Sequence, residues 1–562
     1  MQTPEAAAQA SAGGSSRLLH GLASAERILT RVAERPLLAL AGLAAAQWLL
    51  ILAFALTVRH NGWIYYQGGD QIWLSSTSWL LGENQIPPAY VGYGWPLALA
   101  PLLQAVGPDY VSAMPPVILV DVLVLGPLAL WAVHGLAERI AGRVFALVAA
   151  SAWVVLPYAV IPLWRQDYHE RYVEQFLPGA VGLTGMADFP SMVLLAVGAL
   201  LFVRALDRQA WAGAAAAGLV VGFAIAVKPS NALFLGGPAL AALVARNLRP
   251  LVPFGLALLP AVLTLAVWKQ RGLGAIPVFD AAEARTAAAA VGAAVPDVGR
   301  YFDLDWSNLH DNMSNIREYF WSARLVQWAP LAGLVGLARR SPTVAALAAA
   351  WFAAFLVAKG TTPLSTVSSG SFFRLLMPAF PAYFLLAAST LLLVPRLGEA
   401  LARRWPPGEP REVGQRTLVG LGAALAVVPL AVILLVGPMS TPPRTILVNN
   451  ILTPVDERLA IDVRAEGPAR ELTWTHPALG SSAVFYRVYR TDQSGEDVAC
   501  VDRGAARECL LKMVLLGTTR EPRWRDGSPP PGSLYRVGVA ANAQNDENAG
   551  DVVSISRPTR SD

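Results

Sequence analysis

Charge is scarce in this chain: Asp, Glu, Lys and Arg make up 15% of its 562 residues, against 54% apolar ones. So little polar surface cannot cover the apolar remainder in water, which excludes an ordinary soluble fold and calls for lipid. Nucleotide motifs are missing as well. There is no Gly-x-x-x-x-Gly-Lys-Ser/Thr and no Gly-x-Gly-x-x-Gly, so phosphate-loop hydrolysis and dinucleotide binding have no anchor. His169-Glu170-Arg171-Tyr172-Val173 begins like a zinc-protease motif but lacks the second histidine. Residues 1–36 lack the continuous apolar core of a cleavable signal peptide and are expected to be a disordered cytoplasmic leader. The net charge of +5 comes from basic residues at the ends of apolar runs, not from one cluster, so it marks topology and no nucleic-acid partner is expected.

What is present is a series of long apolar runs. They lie near 37–58, 111–133, 144–163, 189–203, 211–227, 231–245, 251–268, 323–338, 342–358, 372–394 and 417–437, which predicts about eleven membrane-spanning helices. Basic residues fill alternate gaps: Arg27, Arg31 and Arg35, then Arg139 and Arg143, Arg204 and Arg208, Arg246 and Arg249, Arg339 and Arg340, and Arg396 to Arg416. Those gaps are cytoplasmic by the positive-inside rule. The amino terminus is then inside and the tail after Pro438 outside, as expected of a multi-pass protein of the plasma (inner) membrane. Trp95 to Val106 reaches only about 18 Å as a helix and is expected to lie in the outer interface, not to cross. The first outer loop, 59–110, is accordingly long and partly structured.

The outer gaps hold the candidate chemistry. Asp70, in Tyr65-Tyr66-Gln67-Gly68-Gly69-Asp70, follows the first span. The second gap carries Asp167, His169, Glu170 and Glu174 and ends at Asp188-Phe189-Pro190. The third is a tight Lys228-Pro229-Ser230-Asn231 turn; the fourth holds His310-Asp311, expected to belong to a loop covering the substrate; the fifth leads to Arg374. Acids and bases therefore converge on one membrane face.

Several motifs in order resemble the C-type (GT-C) membrane glycosyltransferases, which use polyprenyl-phosphate-linked sugars and include the protein mannosyltransferases and the lipid A aminoarabinose transferases. They are Gly69-Asp70, Gly92-Tyr93-Gly94-Trp95-Pro96-Leu97, Asp188-Phe189-Pro190, Gly218-Leu219-Val220-Val221-Gly222-Phe223 with Lys228-Pro229-Ser230, and Arg374-Leu375-Leu376-Met377-Pro378. The family often pairs two acids in the first loop; here Gly69 precedes Asp70, so the second acid is sought at Asp188, which matches a family position at a span entrance. An Asp there is also an ordinary helix cap.

The resemblance implies sugar transfer from a polyprenyl-phosphate donor to an envelope glycan, lipid or protein on the extracytoplasmic face, with inversion at the anomeric carbon. Such transfer needs a base near the acceptor hydroxyl and cations near the leaving phosphate. Asp70 is the expected base, with Arg374 and Lys228 as a fork and a point charge on the phosphate. The bland alternative for both cations is snorkelling to the interface. Asp121 falls near mid-span, where an acid costs roughly 2.5 to 3.5 kcal/mol on insertion scales, so it calls for a partner or a cavity. No cofactor is demanded by these patterns. A divalent metal on Asp167, His169, Glu170 and Glu174 is one reading, and a solvated polar loop the other. A transporter or flippase of envelope substrates and a noncatalytic scaffold are the competing functions; no repeated half with broken helices supports the former.

After Pro438 the pattern changes to short alternating runs at 459–463, 471–474, 484–490, 534–539 and 551–556. These predict an external all-β sandwich resembling a fibronectin type III domain over 450–562, reached through a 438–449 linker; such modules bind or space other parts. Cys500 and Cys509 both lie there and are expected to form a disulfide in an oxidising compartment, since no nearby histidine completes a metal site. The fold class expected is thus an all-α polytopic domain over 37–437 followed by an all-β domain.

Overall fold

The computed structural model describes residues 31–58, 69–279, 304–321, 323–395, 397–402, 414–476, 484–492, 495–541 and 550–561. The first thirty residues of the expected leader and Tyr65 to Gly68 of the first outer loop lie outside them.

Helices form on all eleven apolar runs. Seven are long and apolar enough to cross a membrane: α1 (Pro36–Thr57), α4 (Tyr110–Ala141), α6 (Asp188–Arg208), α9 (Leu251–Leu273), α12 (Pro342–Gly360), α13 (Ser371–Leu393) and α14 (Arg416–Leu435). α2 (Asp70–Gly82) and α3 (Gly94–Val106) lie in the first outer loop, and α10 (Trp306–Tyr319) in the fourth. The other runs give α5 (Arg143–Ala159), α7 (Trp211–Val227), α8 (Pro229–Val244) and α11 (Ala323–Arg340). α5, α7 and α8 are shorter apolar helices, and α11 carries Arg324, Arg339 and Arg340 in its eighteen residues. Large apolar side chains face outward on α1, α9 and α14, among them Leu49 and Leu52, Leu256 and Leu263, and Val419 and Leu435. In water this would be an aggregation surface; on a multi-pass membrane protein it faces lipid.

α6, α7 and α9 form the packed centre. Their close approach depends on small residues: a Cβ on Gly218 would collide with the Phe254 carbonyl and stand 2.9 Å from Ala257 Cβ, and one on Gly222 would stand 3.2 Å from Ala261 Cβ. Without water to drive helices together, backbone proximity of this kind supplies the association.

The tail is all-β, but its architecture differs from the expected two-sheet sandwich. Twelve strands among the described residues form three sheets, in the orders β2-β1-β7-β6, β11-β10-β5-β8 with β12 beside β10, and β3-β4-β9. The predicted runs coincide with β3 (Ala460–Glu466), β4 (Ala469–Thr475), β5 (Val484–Arg490), β10 (Leu534–Ala541) and β11 (Asp551–Ile555). β1 (Thr445–Val448) falls inside the expected linker and turns through Asn449 and Asn450, both at positive φ, into β2 (Ile451–Pro454). These two strands are short and buried along nearly their whole length, so they lack the alternation that betrays a half-buried strand. β6 (Val498–Arg503) and β7 (Ala506–Leu511) pair Cys500 directly with Cys509, and the two form a disulfide. β8 (Val514–Thr519), β9 (Arg523–Asp526) and β12 (Thr559–Arg560) complete the set.

One apolar cluster continues from the bundle into this domain, joining Trp79, Trp95, Leu103 and Tyr110 to Leu447, Leu452, Leu472 and Trp474.

The helix contact generates a paired test. Gly218→Leu is expected to lower the thermal midpoint of the purified protein, at a cost of at least about 1 to 3 kcal/mol for overpacking against backbone. Gly255→Ala, on the facing helix with open space around its Cβ position, is expected to leave the midpoint unchanged; equal effects would exclude Gly218 as the contact point.

Candidate active site

Four of the residues singled out by sequence come from four separate elements and meet at one end of the bundle. Asp188 is the first residue of α6. Its side chain does not cap the helix; it accepts from Lys228 Nζ through Oδ1 and stands 3.5 Å from Arg374 Nε through Oδ2. Arg374 Nη2 in turn donates to Asp70 Oδ2. Asp188 is 3% exposed, Lys228 21%, Arg374 25% and Asp70 57%, so the group grades from a buried carboxylate to an open one.

Local sequence explains each position. Pro229 forces the residue before it out of the helical region, and Lys228 is extended at φ −144° and ψ 110°, ending α7 with its side chain directed at Asp188. Asn231 secures that turn by donating Nδ2 to the Ala224 carbonyl at 2.7 Å. Arg374 lies in the first turn of α13, after Gly370 at φ 75°. Asp70 opens α2, where the amide dipoles favour a carboxylate.

The loop before Arg374 is held by residues that periodicity did not reveal. Asn308 Nδ2 donates to the carbonyls of Gly360, Thr362 and Ser365 at 3.1, 2.7 and 3.1 Å. Asn312 donates to Ser365 O at 2.6 Å and accepts from Val367 N at 2.9 Å. Tyr168 adds a 2.6 Å bond to Val367 O. His310, the expected member of this region, is exposed on α10 between those asparagines. Beside the loop, Trp164 packs its ring against Tyr172 and Phe373, at centroid distances of 4.8 and 5.7 Å.

The first outer loop closes the other side. A Cβ on Gly94 would stand 2.7 Å from Val227 N, so Gly92-Tyr93-Gly94 is glycine-bearing because it presses on the last turn of α7, just ahead of Lys228. Buried Lys269 donates to the Ala89 and Tyr90 carbonyls at 2.5 and 3.0 Å. The β domain reaches the same place: a Cβ on Gly69 would collide with Ile451, and Trp73 Nε1 donates to Asn450 O at 3.1 Å.

The remaining candidates are not drawn into this group. Asp167, 53% exposed, pairs with Arg165 at 3.4 Å. His169 is half-buried and Glu170 exposed on the same short helix, Gln166–Arg171. Residues two apart on a helix point to different sides, so Asp167 and His169 do not share a face. Among the described residues the one group of three side chains placed to hold a metal is Asp109, Asp456 and His476, all buried, which sequence reading missed. Asp121 is fully buried in a π-turn of α4, Asp121–Leu125, and neither carboxylate oxygen finds a hydrogen-bond partner among the described residues. Its Cβ stands 3.1 Å from the Cβ position of Gly182, so the backbone passes where a larger residue would not fit.

No family model and no curated protein matches this chain. Among solved structures it is similar to the crystal structure of the Archaeoglobus fulgidus oligosaccharyltransferase in the apo form, with 14% identity and a TM-score of 0.38 over 71% of this chain and 55% of that one. The archaeal oligosaccharyltransferase AglB from Archaeoglobus fulgidus, in complex with an inhibitory peptide and a dolichol-phosphate, gives 14% identity and a TM-score of 0.37 over the same shares. The same organism's enzyme tethered to an acceptor peptide gives 12% and 0.36, over 71% and 54%. The chain spans about half the length of these structures.

Proposed function

We propose that this chain is an inverting membrane glycosyltransferase that moves a sugar from a polyprenyl-phosphate donor to an envelope acceptor on the extracytoplasmic face. The observation that carries the reading is the chain of contacts Asp70–Arg374–Asp188–Lys228: one open carboxylate, two cations and a buried carboxylate holding them. That is the equipment for deprotonating a hydroxyl beside a departing phosphate.

In this reading Asp70 takes the proton of the acceptor hydroxyl as its oxygen bonds to the anomeric carbon. The bond from that carbon to the phosphate oxygen breaks, and the electron pair leaves with the polyprenyl phosphate. Arg374 and Lys228 meet the charge that grows there, Arg374 by exchanging Asp70 for the phosphate. Asp188 touches neither reactant; it positions the two cations. Its burial is the reason to move it from second acid to positioning residue.

The helix geometry supports the sidedness. Asp188 and Arg208 are the two ends of α6, whose 21 residues span about 31 Å, the thickness of a bilayer core. Arg139 and Asp207 pair at the far end, where the arginine-bearing gaps cluster. With eleven crossings the basic end is cytoplasmic and Asp70, Lys228, Arg374 and the β domain face outside.

Mass spectrometry of lipid-linked sugars with and without the protein tests the function: a donor pool that accumulates in its absence, with a glycan lost, is expected, and an unchanged pool points to a scaffold. On that donor, Asp70→Asn is expected to lower turnover at least about a hundredfold with donor affinity retained. Arg374→Lys is expected to lower turnover because the fork is lost, whereas a snorkelling arginine would tolerate the change.

Stability separates the two acids. Asp188→Asn removes the shared partner of two half-buried cations and is expected to cost about 1 to 3 kcal/mol, while Asp70→Asn, at an exposed pair, costs under about 1 kcal/mol; thermal unfolding reads both. A cysteine at Ser368 is expected to react with an impermeant thiol reagent in intact cells and one at Arg208 to stay unlabelled. The reverse pattern would overturn the sidedness.

A further inference from the structure

The junction between bundle and β domain holds a buried polar cluster that the proposed reaction does not use. Asp109 is the N-cap of α4, Asp456 follows β2 and His476 follows β4. One ligand atom from each lies within 4.8 Å of the others. His476 Nε2 stands 3.9 Å from Asp109 Oδ1 and 3.5 Å from Asp456 Oδ2, and none of the three side chains is more than 1% exposed.

Three of the four carboxylate oxygens already accept hydrogen bonds. Asp109 Oδ2 accepts from Ser112 N and Oγ at 3.0 and 2.8 Å. Arg458 donates Nε to Asp456 Oδ1 at 3.0 Å and Nη2 to Asp456 Oδ2 at 2.9 Å, and its Nη2 stands 3.8 Å from Asp109 Oδ2. Burial alone would raise the Asp456 carboxyl, but hydrogen bonds from His476 and Arg458 outweigh it and hold the group well below the usual carboxylate range. Asp109 Oδ1, aimed at His476, accepts no hydrogen bond among the described residues. Two carboxylates thus meet one guanidinium at this junction.

We propose that Asp109 Oδ1, Asp456 Oδ2 and His476 Nε2 bind one divalent cation of the zinc class, which staples the β domain to the membrane bundle. The donor set selects the ion: an imidazole with two carboxylate oxygens suits zinc, whereas calcium and magnesium favour all-oxygen shells. Ligand atoms around a tetrahedral zinc with bonds of about 2.0 to 2.1 Å stand about 3.3 Å apart, so the two separations from His476, 3.9 and 3.5 Å, would close by well under 1 Å on binding. Ser112 and Arg458 become the outer partners that orient the ligating carboxylates. Because one ligand comes from the bundle and two from the β domain, the ion ties together two parts of the chain 347 residues apart (456 − 109).

The test uses the full chain without a polyhistidine tag, purified into nanodiscs, stripped with a chelator and dialysed against zinc chloride. One zinc per chain is expected, with a thermal midpoint that falls on chelation and recovers with zinc. Cobalt substitution of the unmodified chain is expected to give ligand-field absorption. His476→Ala and Asp109→Asn are expected to lose the ion and the chelator response, whereas the double variant Asp70→Asn, Asp188→Asn keeps one zinc. This site is thereby separated from the proposed active site, and its outcome does not depend on any transferase activity. Absence of stoichiometric zinc in the unmodified chain, as a protonated His476 bridging the two acids would give, overturns the proposal. So does zinc retained in His476→Ala or lost in the double variant.

Discussion

The arrangement turns on a single buried carboxylate. Asp188 is 3% exposed, and a carboxylate taken out of water is costly unless cations reach it. Lys228 and Arg374 do so from two different helices, and each approach constrains its own element. Lys228 can reach Asp188 only because α7 stops at a residue that Pro229 keeps out of the helix. Arg374 reaches it only from a helix that starts where the 360–371 loop delivers it, and that loop is tied to Asn308 and Asn312. The neutralisation of one acid thus dictates where α6, α7 and α13 sit relative to one another. Asp70 adds the exposed end of the same chain of charge, so its electrostatic surroundings are inherited from Asp188 at one remove.

Asp70, Asp188, Lys228 and Arg374 were legible in the sequence for a simple reason: a charged residue at the end of an apolar run stands out, and all four share the side opposite the arginine-rich gaps. Their mutual contact was not legible, since nothing in a linear pattern says that four span ends belong to one corner of a bundle. Asn308 and Asn312 escaped because an amide on a polar helix carries no pattern; the neighbouring His310 attracted notice on residue type alone and is exposed. The metal-capable trio failed for the opposite reason. Asp167 and His169 are close in sequence but two apart on a helix, and so on different sides of it, whereas Asp109, Asp456 and His476 are far apart in sequence and converge in space.

The β domain was half legible. Alternation identified β3, β4, β5, β10 and β11, where one face is buried, and missed β1 and β2, which are buried along almost their whole length. That omission matters, because β2 packs against the helix that Asp70 opens. β1 begins at Thr445, inside the expected 438–449 linker, and its Leu447 belongs to the apolar cluster shared with the bundle.

Contact at both ends of β2 alters what such a domain can do. At its start, Ile451 occupies the space that a side chain on residue 69 would need, and Asn450 accepts from Trp73 one turn along the helix that Asp70 opens. Just past its end, Asp456 meets Asp109 and Arg458. A strand fixed at two points cannot swing as a spacer does, so the β1–β2 turn, with Asn449 and Asn450 exposed, remains beside the mouth in which Asp70 lies. Glycine at position 69 is the sequence trace of this arrangement, since any side chain there would meet Ile451. The missing side chain at position 69 and the docked strand are therefore one structural fact.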